Sequence, residues 1–100
     1  MTSDEMLDSM RLRFLRCIAT ASKKNRDYAS DADPFGNFRM ATMVGVDPRR
    51  AILVRITDKL ARISQLLEHE AAVADESIRD SIEDAINYLA ILGAWLESER

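Results

Sequence analysis

Long stretches of this chain contain no interior proline, and in each stretch the apolar residues recur at helical spacing. Three glycines and two prolines in 100 residues leave room for long regular elements. Over residues 3–29, Met6, Leu7, Met10, Phe14, Cys17, Ile18 and Ala21 trace one stripe. From Pro48 to about Glu70, a wide face is formed by Ile52, Leu53, Ile56, Leu60, Ile63, Leu66 and Leu67. From Asp75 to about Glu97, the apolar side carries Ile78, Ile82, Ala85, Ile86, Leu89 and Leu96. Valine and aromatic residues are sparse, and the dominant residue types favour helix over strand. The pattern predicts one all-α domain over 1–100, with three main helices. A domain of this size buries only about two-thirds of its unfolded surface. An antiparallel helical bundle completed by oligomerisation is therefore expected.

Local signals set the boundaries. Thr2 and Glu5 stand at capping-box spacing before the first helix. The basic run KKNRDYAS suits that helix's C-terminus. Residues 30–47, SDADPFGNFRMATMVGVD, read as a connection with turn chemistry at DPFGN. Phe35 and Phe38 flank that turn, so the loop is expected to pack down, with room for a short helical turn over 38–44. Asp47-Pro48 is a start signal: an N-cap acid followed by proline at the first helical position. The short link between the second and third helices makes them antiparallel neighbours.

Composition bounds the function. At 47% hydrophobic and 31% charged, the chain can bury a core. A formal charge of −3 argues against a general nucleic-acid binder, so no stable nucleic-acid complex is expected. Cys17 is the only cysteine, which excludes an intramolecular disulfide, and its place in the first apolar stripe predicts a buried small hydrophobe. The N-terminus is acidic and no apolar run approaches a membrane span. A cytoplasmic protein with no membrane association is the expectation.

Charge patterning supplies the candidate site. On a helix starting at Asp75, Glu76, Asp80, Glu83 and Asn87 share one stripe, with Asp84 at its edge. Like charges one turn apart oppose a helix by roughly 0.2–0.5 kcal/mol per pair, so the row needs a compensating partner. Two readings are open. Glu76 and Asp80, joined one turn later by Asp84 or Glu83 and by Asp58 reaching across from the second helix, could hold Mg²⁺, a hard cation that takes carboxylate oxygens. Alternatively Arg55, Lys59 and Arg62 meet the acids as ion pairs between helices. A second cluster, Lys23, Lys24, Asn25 and Arg26, offers donors to phosphate. Tyr28 or Phe35 could stack on a base. His69 is a lone residue near a helix end, and Trp95 with Leu92 and Leu96 suits core or subunit interface. No Gly-rich phosphate loop, Cys/His cluster or Ser/His/Asp set occurs.

Four segments together carry a family resemblance: KKNRDYAS (23–30), DPFGNFRMA (33–41), RITDKLARI (55–63) and DESIRDSIEDAINYLAIL (75–92). They resemble the nucleotide modification associated domain family of bacteriophages and prophages, which looks related to the MazG-type all-α nucleotide pyrophosphohydrolases. The resemblance covers roughly residues 14–96. It implies Mg²⁺-dependent hydrolysis of a nucleoside triphosphate or modified nucleotide to the monophosphate and pyrophosphate, in the host cytoplasm if the chain is phage-encoded. MazG-type proteins carry EExxE on one helix and ExxD on the next. Here those places read Asp58-Lys59-Leu60-Ala61-Arg62 and Glu76-Ser77-Ile78-Arg79-Asp80. By this resemblance Asp58, Glu76 and Asp80 are the catalytic candidates, and these with Asp84 are the metal ligands. Lys23, Lys24, Tyr28, Arg55 and Arg62 are the candidates for nucleotide binding. Two other readings stay open: a non-catalytic module for a nucleotide or cyclic nucleotide, and a helical interaction protein. A homo-oligomer, a dimer or higher, is expected in each case.

Overall fold

The computed structural model describes residues 1–28, 33–68 and 76–100, and all of their side chains except those at 27, 28 and 76. The described residues are helical and contain no strand. Helix α1 spans Ser3–Tyr28 and a short α2 spans Gly36–Arg39. A 3-10 turn, Met40–Val44, follows α2, and helices α3 (Pro48–Leu67) and α4 (Glu76–Ser98) complete the chain. The three long helices stand where the apolar periodicity predicts them. The expected short turn begins slightly earlier, at Gly36.

Each start signal is built as the sequence implies. The Glu5 amide donates to Thr2 Oγ1 at 3.1 Å, and the Thr2 amide donates to Glu5 Oε2 at 3.4 Å. This reciprocal pair satisfies donors that a helix N-terminus leaves open. At α3, Asp47 is extended and its Oδ1 accepts from the Arg49 amide at 2.9 Å, with Pro48 next in line. Asp33 folds the connection: its side chain accepts from the Phe35 amide at 3.2 Å, and its carbonyl accepts from Gly36 at the same distance. Gly45 closes the 3-10 turn at φ 77°, a left-handed conformation that a Cβ disfavours.

Helices α3 and α4 pack antiparallel. Arg49, at the start of α3, comes within 3.9 Å of Glu99 just past α4, while Lys59 meets Asp84 near the middle of both. Helix α1 meets α4 around Cys17, whose thiol points at the Glu83 carbonyl at 3.8 Å. The core is small: Cys17, Ile52, Ile56, Ile78, Ala85 and Trp95 are the buried apolar residues among those described. Ile52 alone is fully enclosed. Cys17 is buried as expected, and desolvation together with the nearby Glu83 charge raises its thiol pKa above the ordinary value. Among the described residues, no helix is long and apolar enough to cross a membrane.

Candidate functional site

A cavity of about 680 Å³ opens between the C-terminal half of α1, the Asp33–Arg39 connection and α4. Its volume lies in the range of small-molecule sites. Phe35, Phe38 and Tyr88 supply aromatic wall, and Ile18, Ala21 and Ile91 supply aliphatic wall. Lys24, Asn25, Asn37, Asp84 and Asn87 put polar groups at its edges. An apolar chamber with a few convergent polar groups is the usual chemistry of an organic ligand site.

The connection holds these aromatics by packing down, as its sequence predicts. Phe35 meets Trp95 edge-to-face at 5.1 Å between centroids, and Arg39 lies over the same indole at 4.7 Å. Arg39 is itself held by Asp33 at 2.9 Å. Phe38 meets Tyr88 edge-to-face at 6.3 Å. Behind that pair lies a second recess of about 400 Å³, which shares Asn37, Phe38 and Tyr88 and adds Arg55. A cation therefore stands on each side of the Phe38–Tyr88 pair: Lys24 by the first recess and Arg55 by the second.

The acidic row divides by direction. Glu83 turns into the α1 interface and is buried. Its carboxylate receives Arg13 Nη1 and Arg16 Nε, each at 3.3 Å, with Arg79 at 4.0 Å. Asp84 lines the cavity and binds two ammonium groups, Lys59 at 3.0 Å and Lys24 at 3.4 Å. Asn87 donates to the Cys17 carbonyl at 3.1 Å, which ties α4 to α1 beside the cavity. For Glu83 and Asp84 the ion-pair reading of the row therefore holds. The partners of Glu83 come from α1, not from α3. Asp80 is exposed one turn before Asp84, and no hydrogen bond or ion pair engages it among the described residues.

The remaining candidates are dispersed. Asp58 and Arg62 are exposed on α3, outside the cavity wall, and Lys23 is exposed on α1 beside Lys24. Arg55 borders the second recess. The side chains of Glu76 and Tyr28 lie outside the described residues, as do His69 and Asp75. Among the described residues, no three acidic, histidine or cysteine side chains come together as a metal-binding group. Asp58, Asp80 and Asp84 thus do not form a three-carboxylate cluster by themselves.

Sequence reasoning missed Asn37 and Tyr88 as site residues, and it placed Asn87 on the acidic stripe without giving it a role. Tyr88 follows Asp84 by one helical turn, and that spacing was the available signal. Of the three α3 cations that the ion-pair reading named, Lys59 is the one that meets the row, at Asp84.

No protein-family model, no curated protein and no solved structure matches this chain.

Proposed function

We propose that this chain binds a nucleotide in the cavity between α1, the connection and α4. The base sits among Phe35, Phe38 and Tyr88, and the phosphates turn toward Lys24 at the edge of the same cavity, while Arg55 stands on the far side of the Phe38–Tyr88 pair. The observation that carries this reading is the aromatic chamber flanked by cations. Every base has a π-face that stacks on aromatic rings, and cationic side chains neutralise phosphate oxygens. Asp84 gives the site a responsive element. Lys24 is shared with it at 3.4 Å in an exposed pair, so an incoming phosphate can take up Lys24 while Lys59 keeps Asp84 neutralised. The resemblance to the nucleotide modification associated domain family supports a phosphate-bearing ligand.

A second reading adds turnover. Asp80 is exposed without a partner among the described residues, one turn before Asp84. With Glu76 a further turn back, it would hold Mg²⁺ against ligand phosphates, since Mg²⁺ is commonly held by one or two carboxylates plus phosphate oxygens. The ion would stabilise charge on phosphorus during attack by water, releasing pyrophosphate from a nucleoside triphosphate.

Calorimetry against nucleoside mono- and triphosphates, ribo and deoxy, tests binding. We expect saturable heat for at least one of them and a loss of tenfold or more in affinity for Phe38→Ala and for Lys24→Ala. No heat from any nucleotide at millimolar concentration sinks the proposal. A pyrophosphate-release assay with Mg²⁺ separates the two readings. Turnover abolished by Asp80→Asn, with nucleotide binding retained in the absence of Mg²⁺, selects hydrolysis, and binding without turnover selects the module.

A further inference from the structure

We propose, on the nucleotide-binding reading of the cavity between α1, the connection and α4, that its ligand is a nucleoside monophosphate. Lys24 holds a single phosphate, the aromatic rings hold the base, and acidic side chains turn away longer phosphate chains.

Charge is the first argument. Among the described residues, Lys24 and Asp84 are the charged side chains that line the cavity. Asp84 binds Lys24 at 3.4 Å and Lys59 at 3.0 Å, so the three side chains together leave one net positive charge. A phosphate monoester carries about −1.5 to −2 charges near neutral pH. Each further phosphate adds about one more negative charge. One phosphate comes close to balancing the site. A triphosphate leaves several negative charges beside the Asp84 carboxylate.

Helix phase is the second argument. Ile18, Ala21, Ser22 and Asn25 give α1 its cavity face, with Lys24 at the edge. At 100° per residue, Arg26 falls roughly 90° from the middle of that face and Lys23 roughly 150°. Both are exposed and outside the wall, so neither joins Lys24 at the phosphate. On α4, Asp80 lies within about 40° of the direction of Asp84. It is exposed and has no partner among the described residues. Phosphates added toward the start of α4 therefore meet a second carboxylate. Arg55 stands across the Phe38–Tyr88 pair, in the other recess.

The rest of the sequence adds no cation to this balance. Residues 29–32 and 69–75 read ASDA and HEAAVAD, with three acids, one histidine and no lysine or arginine. Positions 27, 28 and 76 are Asp, Tyr and Glu. The uncharged part of the wall suits the nucleoside instead. Asn25, Asn37 and Asn87 each bring an amide with donors and an acceptor. Asn87 donates one N–H to the Cys17 carbonyl at 3.1 Å and keeps its Oδ1. Amides of this kind match the edge of a base or a sugar hydroxyl, and that recognition gains nothing from added phosphates.

Calorimetry with the nucleoside, monophosphate, diphosphate and triphosphate of each common base tests this, first without divalent ions and then with Mg²⁺. We expect the monophosphate to bind about tenfold more tightly than both the nucleoside and the triphosphate of the same base, in either buffer. Lys24→Ala should bring the monophosphate down to the nucleoside's affinity and leave the nucleoside unchanged. Asp80→Asn should tighten the triphosphate several-fold and leave the monophosphate unchanged. Both side chains are exposed, so the fold tolerates these changes. Affinity that climbs with each phosphate, in either buffer, overturns the proposal while leaving the cavity a nucleotide site. A monophosphate that binds no better than its nucleoside overturns Lys24 as the phosphate anchor. No binding by any member of the series overturns the nucleotide reading together with this one.

Discussion

At the scale of single residues, Glu83 explains most about why the helices meet where they do. It is the buried acid of the row, and it holds Arg13 and Arg16 of α1 against α4. The arginine side chains are 28% and 42% exposed, so water screens part of the interaction. Removing one partner of a fully buried pair costs about 3–5 kcal/mol, and an exposed pair contributes about 0–1 kcal/mol. The half-buried geometry lies between them. Glu83→Gln keeps the size and an acceptor oxygen but loses the charge, and it should cost roughly 1–2 kcal/mol in urea unfolding. A double-mutant cycle with Arg13→Ala should show coupling, because both changes break the same contact. If Glu83→Gln leaves the unfolding midpoint unmoved, Glu83 is not the tie between α1 and α4. Asp84 differs only in direction: one position further along α4, it faces the cavity and two lysines.

At the scale of elements, the most explicit local code is the start of α3. Asp47 accepts from the Arg49 amide at 2.9 Å and from its guanidinium at 2.7 Å. These hydrogen bonds from the Arg49 side chain and amide hold the Asp47 carboxyl below the ordinary carboxylate range. A carboxyl depressed in the folded state stabilises fully above its unfolded pKa and loses that contribution as pH falls through the folded value. The window therefore lies below about pH 4. Asp47→Ala should lower the melting temperature by a constant margin from pH 7 to 5, and the margin should shrink as pH drops below that window. A margin unchanged into strong acid would refute the cap's role. Such elements were legible because their chemistry is local. Thr2 and Glu5, Asp47 and Pro48, and the DPFGN turn each act over three or four residues. The row of acids was legible as a row, but its assignment was not. Whether Glu83 meets α1 or α3 depends on how α4 is rotated against both, and periodicity fixes a face without naming its neighbour. Phe38 and Tyr88 are fifty positions apart, and only the fold brings them together at 6.3 Å.

At the scale of the whole molecule, a single copy leaves many large apolar side chains exposed among the described residues. Among the described residues its core rests on six buried apolar side chains, and only Ile52 of these is fully enclosed. Exposed leucines and methionines on α1, α3 and the 3-10 turn account for much of the remaining apolar surface. Folding stability is a small difference between large terms, so a core of this size leaves the monomer near the margin. If the expected oligomer forms, association is part of the folding equilibrium, because a partner that binds only the folded chain stabilises it by mass action. The melting temperature should therefore rise with protein concentration across a hundredfold range, while a monomer melts at one temperature throughout. Calorimetric scans at several concentrations check this. A concentration-independent wild type would mean that the small core and the Glu83 tie hold the fold without a second copy.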